Sequence, residues 1–114
     1  MRKALALYCP AASTTFYYAP LIPCYLKGAN WVLNATQNAG NKTVVIALSG
    51  GSTICSGTAV TIGTPVEGTM TTTAAYLKQV ISKTTPMTIV VDFASGSAAT
   101  LIIDLDLDKF EATV

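Results

Sequence analysis

Residues 87–108 read MTIVVDFASGSAATLIIDLDLD, and this stretch decides the predicted fold. Residues 87–94 follow Pro86 and are rich in β-branched and aromatic side chains, which favour a strand. Residues 98–108 end in an alternation of apolar and acidic side chains, the pattern of a strand with one buried face. Residues 95–97 (SGS) between them are typical of a tight turn. The stretch therefore predicts a β-hairpin.

Short apolar runs separated by Gly, Pro, Asn, Ser and Thr fill the rest of the chain. Only residues 72–82 favour a helix, and there we expect one helical turn followed by a strand through residues 79–82. The predicted strands follow one another about every 8–12 residues and do not alternate with helices, which predicts an all-β fold. We expect one β-sandwich domain over residues 1–114, a jelly roll of about eight short antiparallel strands. The further predicted strands lie at residues 3–9, 29–37, 42–49, 53–55, 58–62 and 66–71, with turn-like residues at 10–15.

The low charge of the chain indicates a surface that other proteins cover. Charged residues make up 11% of the sequence, whereas an ordinary domain carries about 25%. A neutral monomer covered by Thr and Ser is the alternative. The seven Lys and Arg residues are scattered and the net charge is +1, so the sequence predicts no nucleic-acid partner. No apolar run approaches the roughly 20 residues of a membrane span, so we expect a soluble protein.

The residues that usually carry catalysis are missing or unmatched. The sequence has no His, which removes the commonest general base and metal ligand. Cys9, Cys24 and Cys55 are odd in number and form no C-x-x-C pair, so we expect buried thiols and synthesis in a reducing compartment. Residues 50–53 (GGST) lack the Lys of a phosphate-binding loop and are interpreted as a hairpin or connecting loop. The sequence therefore predicts no enzyme, no cofactor and no metal.

Three acidic residues occupy alternate positions near the end of the chain. In a strand Asp104, Asp106 and Asp108 share one face, and Leu105 and Leu107 point into the core. A solvated face or a charge row that protects a sheet edge is one interpretation. Pairing with Lys or Arg of a partner is a second. A third is a bound cation, although neighbours on one face lie about 6.6–6.8 Å apart.

Aromatic residues near the N-terminus are the strongest binding candidates. In any extended conformation at least one of Phe16, Tyr17 and Tyr18 must point outward. Tyr25 extends the same aromatic patch, and large amphipathic rings are enriched at protein interfaces. Two core faces that meet at a bend are the alternative. Because Pro20 and Pro23 confine any strand to an edge, we expect residues 1–23 to form an N-terminal arm or edge strand.

The layout resembles the small jelly-roll decoration, or cement, proteins of tailed-phage heads. The resemblance shows in KTVVIALSGGSTICSGTAVTIGT and in the closing MTIVVDFASGSAATLIIDLDLD, and it covers residues 29–108. It implies a homotrimer on the outside of the capsid that clamps the major capsid protein and stabilises the shell without catalysis. It also implies synthesis in the host cytoplasm and a final place in the virion.

A carbohydrate-binding or fibre/tail β-sandwich is the alternative function. It would place Trp31 and one of Tyr17, Tyr18 or Tyr25 on an exposed platform on which sugars stack. The position of Trp31, in the core or on the surface, distinguishes this alternative from the structural role.

Overall fold

The computed structural model describes residues 2–10, 12–34, 42–49, 51–59, 62–71, 80–93 and 98–109. These residues form ten strands in two packed antiparallel sheets, and they contain no helix, which confirms the predicted all-β sandwich. Three of the strands are only two residues long. The strands are β1 (Arg2–Cys9), β2 (Thr14–Tyr18), β3 (Cys24–Asn34), β4 (Lys42–Leu48), β5 (Thr53–Ala59), β6 (Val66–Glu67), β7 (Thr69–Met70), β8 (Val80–Ile81), β9 (Met87–Phe93) and β10 (Ala99–Lys109).

Strands that are far apart in sequence pair in a nested order. The first sheet has the order β1-β10-β3-β6, and β8 also pairs with β3. The second sheet has the order β2-β9-β4-β5-β7. Thus β1 pairs with β10, β2 with β9 and β3 with β8, while β4 and β5 pair as neighbours in the chain. The strands of the first half of the chain therefore pair, in reverse order, with those of the second half.

The core lies between the sheets and follows from the alternation of inward and outward side chains along most of the strands. On β10 every second residue, from Leu101 to Leu107, is fully buried, as predicted for Leu105 and Leu107. Trp31 and Leu33 of β3 share one face, as predicted, and both are buried. Each such apolar side chain stabilises the fold by about 1.5–3 kcal/mol relative to exposure. The second sheet contributes Val44, Ile46, Ile54, Ile89 and Val91.

The predicted hairpin of residues 87–108 is wrong. β9 belongs to the second sheet, between β2 and β4, and β10 belongs to the first, between β1 and β3. Both sides of each strand are therefore occupied, and the connection crosses from one sheet to the other. A Gly- and Ser-rich turn permits a reversal of the chain but does not specify that the two strands hydrogen-bond. The turn residues 95–97 lie outside the described residues.

Several strand boundaries differ from the prediction. β3 begins at Cys24, directly after Pro23, and β2 begins at Thr14 inside the stretch predicted as a turn. β5 runs without interruption through Gly57. β4 and β5 form a true hairpin, in whose turn the N–H of Gly51 donates to the carbonyl of Leu48 at 2.8 Å, and Thr53 already begins β5; Gly50 lies outside the described residues. The predicted helical turn, the face of Ala35 and the turn at Gly40 lie outside the described residues.

One side of the sandwich, the closed flank of β6, β7 and β8, is sealed by Trp31. A Cβ added at Gly57 would lie 2.8 Å from the indole Cζ2. At Gly68, between β6 and β7, it would lie 2.5 Å from Sγ of Cys55 and 2.6 Å from the indole Cη2. The N–H of Gly68 donates to the carbonyl of Ala29 at 2.8 Å, which holds this segment against β3. A larger residue at Gly57 would force the indole ring to move, and one at Gly68 would force both the ring and the thiol to move.

Candidate interaction surfaces

The seven predicted interface residues lie on two separate surfaces. Phe16, Tyr17 and Tyr18 are on β2, at one edge of the second sheet. Tyr25 is on β3 and the three acidic residues are on β10, both in the first sheet. The structure therefore does not bring the aromatic run and the acidic row together.

The acidic row lies on the outer face of the first sheet. β10 is flanked by β1 and β3, so the interpretation of the row as edge protection is wrong. The acidic row instead forms an ion pair with the first residue of β1: Arg2 Nη1 lies 3.0 Å from Asp104 Oδ2. Both side chains are partly exposed, and exposed pairs contribute about 0–1 kcal/mol. This ion pair orients Arg2 over the sheet without stabilising the fold much.

Tyr25 and Asp108 form a second polar contact on the same face. The Tyr25 hydroxyl donates to Asp108 Oδ2 at 3.1 Å. This hydrogen bond to the charged form holds the pKa of Asp108 below its usual 3.8. Burial, followed by the neighbouring carboxylate, raises the pKa of Tyr25. Tyr25 is thus engaged by the acidic row and does not extend the aromatic run.

A groove of 460 Å³ opens beside these contacts and has a mixed lining. Arg2 and Lys27 are its cationic residues, and Glu67 and Asp106 are its anionic ones. The balance of charge gives it no strong preference for an ion of either sign. Among the residues that the structure describes, no group of three His, Cys, Asp or Glu residues could hold a metal ion.

The three consecutive aromatic residues form one continuous strand, not a bend. Phe16 and Tyr18 point inward and pack against the core while remaining half-buried. Tyr17 points outward and is 69% exposed, which confirms that at least one ring must do so. β2 pairs only with β9 among the described strands, so it is an edge strand.

β1, β2 and the loop of residues 19–23 form one surface, which we call the open flank. Both strands lie at sheet edges on the side opposite to the closed flank. A cavity of 350 Å³ is lined by Lys3 of β1, by Tyr18 of β2 and by the loop, which shows that the three lie side by side. Residues 1–23, predicted as an arm or an edge strand, thus contribute both edge strands of this flank.

Apolar surface is concentrated on the open flank. Four of the six large apolar side chains that are exposed among the described residues lie there: Tyr8 at 65%, Tyr17 at 69%, Leu21 at 94% and Ile22 at 58%. The two others, Ile62 and Ile102, are each 38% exposed.

Leu21 and Ile22 of the loop were not among the predicted interface residues. Their position between Pro20 and Pro23, outside the alternating pattern of any predicted strand, was the available signal. Lys42 was not predicted to be buried either, yet it is fully buried at the start of β4, and this burial lowers its pKa. Lys42 is in phase with the buried Val44 and Ile46, so the alternation of β4 indicated its inward orientation.

The cysteines and Trp31 are core residues. Cys9, Cys24 and Cys55 are free thiols and buried, as predicted. Burial raises the pKa of each, and that of Cys55 to about 11, so the reactive thiolate is disfavoured. Trp31 is 1% exposed, so the sugar platform that the alternative function requires is not formed by this residue.

No described part of the chain forms a helix that could span a membrane. Comparisons with protein-family models, with curated proteins and with solved structures found no match to this chain.

Proposed function

We propose that this protein is a structural jelly-roll module that binds the outside of a tailed-phage capsid, in contact with the major capsid protein, and stabilises the shell as a homo-oligomer. The observation that carries this proposal is the open flank, where apolar side chains that a core would normally bury are held at the surface. Binding to other proteins, which would cover these apolar side chains, accounts for their exposure.

The nested pairing of strands supports the jelly-roll assignment. In a jelly roll eight strands form two sheets through Greek-key connections, so that strands from opposite ends of the chain become neighbours. The pairs β1·β10, β2·β9 and β3·β8 have this relation, and the short β6 and β7 are additions between β5 and β8. Viral capsid domains are among the proteins that use this architecture.

The charge distribution supports close packing in an assembly. The outer face of the second sheet carries exposed hydroxyl residues at Thr15, Thr43, Thr58 and Thr69, with Asp92 as its described charge. Copies of so neutral a surface repel one another little when they are crowded on a shell. The absence of His from the sequence and the protonated, buried thiols support a role without catalysis.

The loop of residues 19–23 is our proposed contact with the shell. Leu21 and Ile22 project from it with no described neighbour to cover them fully, and the prolines on either side limit the conformational freedom that binding would remove. Two large apolar side chains on a constrained loop can insert into a pocket of a partner as an anchor.

Co-sedimentation with purified heads of tailed phages tests the proposal. We expect the wild-type protein to sediment with a cognate head and to raise the temperature at which the head releases its DNA. The double variant Leu21→Ser/Ile22→Ser should lose both effects.

The matched control is Ile62→Ser/Ile102→Ser, which removes two exposed apolar side chains elsewhere. Equal loss in both double variants, or binding of the wild type to a glycan array and to none of the heads, would contradict the proposal.

A further inference from the structure

Among the described strands, β1 forms a long sheet edge and the other edge strands are shorter. β1 is eight residues long and pairs only with β10 among the described strands. β6, β7 and β8 are two residues each, and β2 has five. Short edge strands are a common protection against unwanted pairing between sheets. The closed flank has this protection and β1 does not.

The middle of β1 also lacks the other common protective features. Arg2 and Lys3 stand at its beginning and Pro10 follows its end, but residues 4–8 (ALALY) contain neither proline nor charge. The register of β1 with β10 is continuous, so no bulge twists the edge away. Leu5 and Leu7 point inward and are only half-buried, which shows that the core is incompletely covered along this edge.

We propose that β1 pairs antiparallel with β1 of a second copy of this chain, across a two-fold axis. The free backbone donors and acceptors of an edge can exchange water for another extended strand, which pairs with them along their whole length. The closed flank offers no described strand longer than two residues to receive β1. The long edge that this chain itself supplies is β1, so the partner is the same edge.

Charge favours the antiparallel arrangement. A parallel pair would bring Arg2 and Lys3 of both copies together, whereas an antiparallel pair separates the two Arg2 residues by roughly 20 Å.

The register follows from the two faces of the strand. Inward residues must oppose inward residues, since a shift by one position would bring leucines to the outer face. Leu5 opposite Leu5 of the second copy meets this requirement and leaves Pro10, which has no N–H to donate, outside the pair. Arg2 then lies opposite Tyr8 of the second copy, where its guanidinium can cover the exposed ring.

The two edge strands of the open flank supply part of a dimer interface. A stable interface involves about 20–30 residues on each side. β1 and β2 supply eight and five residues, and the loop of residues 19–23 stays free to contact the shell. The half-buried Leu5, Leu7, Phe16 and Tyr18 would complete the core across the two-fold axis.

This inference rests on the self-association in the proposed function and not on shell binding. A two-fold pair gives a dimer, so it replaces the trimer that the family resemblance implies.

Sedimentation equilibrium over a concentration series tests the inference. We expect the wild type to form a dimer, and Leu5→Lys to raise its dissociation constant by about 100-fold or more, because two ammonium groups would face each other. Leu48→Lys is the matched control, since Leu48 is also half-buried against the core but lies on β4. A monomeric wild type, a trimer unaffected by Leu5→Lys, or equal weakening by both folded variants would overturn the inference.

A cysteine pair gives an independent test where the lysine variants do not fold. Opposed residues of antiparallel strands lie about 4.5–5.5 Å apart between Cα atoms, within disulfide range. Leu5→Cys should therefore oxidise to a covalent dimer, and Thr69→Cys on the edge strand β7 should not. Failure of Leu5→Cys to cross-link, or equal cross-linking of both, would overturn the inference. A monomer that still binds phage heads would overturn it and leave the shell-binding proposal intact.

Discussion

The open flank and the closed flank are two edges of the same sandwich, and they end the core in opposite ways. At the closed flank the chain covers the core itself, with two-residue strands, glycines at Gly57 and Gly68, and the ring of Trp31 beneath them. At the open flank the strands are longer, the inward leucines are half-buried and Tyr8 and Tyr17 are exposed. We therefore expect the closed flank to contribute most to the stability of the fold and the open flank to bind other proteins.

Replacement of Trp31 by Ala should have the largest effect. The side chain is fully buried at the closed flank, and loss of a buried Trp destabilises a domain by about 3–5 kcal/mol. Urea denaturation of the wild type and the variant measures this difference. Tyr17→Ala removes an exposed aromatic side chain at the open flank and should change the free energy of unfolding by less than about 0.5 kcal/mol. Similar losses would remove the distinction between the flanks.

A methyl group at Gly68 should destabilise the closed flank by about 1–3 kcal/mol through overpacking. The added Cβ would lie 2.5 Å from Cys55 Sγ and 2.6 Å from the ring of Trp31, so both must move. Gly28→Ala is the matched control on β3, because nothing lies within 4 Å of its added Cβ. Thermal unfolding followed by circular dichroism should show a lower Tm for Gly68→Ala alone. A Gly68→Ala variant as stable as Gly28→Ala would show that the closed flank is loosely packed.

Truncation of Leu5 at the open flank should have a smaller effect. In dilute solution, where the chain is monomeric, Leu5→Ala should destabilise by about 1 kcal/mol, since part of its apolar surface is already in water. Leu33→Ala, at a fully buried position, should lose about 2–5 kcal/mol. Guanidinium denaturation at low protein concentration measures the loss of unfolding free energy in each of the two variants. An equal loss would mean that the open flank is as well covered as the core.

The smallest expected effect on stability is that of Tyr25→Phe, on the outer face of the first sheet between the two flanks. Tyr25→Phe removes the hydrogen bond to Asp108, so the pKa of that carboxyl should return upward toward 3.8. A lowered folded-state pKa contributes stability above the unfolded value, and this contribution is lost as the pH falls through the folded value. The variant should therefore lose less stability than the wild type between neutral pH and pH 3. Carboxyl NMR titration measures the shift, and Tyr17→Phe should leave Asp108 unchanged.

Local patterns predicted which way side chains face. The alternation in β10 predicted that Leu105 and Leu107 are buried and that the acidic residues share the outer face, and the structure confirms both. The same kind of pattern predicted Trp31 and Leu33 on one face of β3. These predictions succeed because neighbouring side chains in any strand point to opposite sides, whatever the strand pairs with.

The pairing of strands was not predictable in this way. The Gly- and Ser-rich turns after β4 and after β9 look alike, yet the first closes a hairpin and the second leads to the other sheet. The interpretation of Asp104, Asp106 and Asp108 as edge protection failed for the same reason, since β10 became an inner strand. The backbone groups that pair two strands are the same whatever the side chains are, so the partner of a strand depends on how the whole chain folds.

By itself, the sequence determined the all-β class, the inward face of the main strands and the lack of a catalytic His. Each of these depends on residue type or on the two-residue period of a strand, which are local properties. Only the tertiary structure decided that Trp31 is core, that β1 remains a long edge and that the exposed apolar residues gather on one flank. Those features depend on contacts between residues far apart in sequence, and such contacts are fixed only when both sheets are complete.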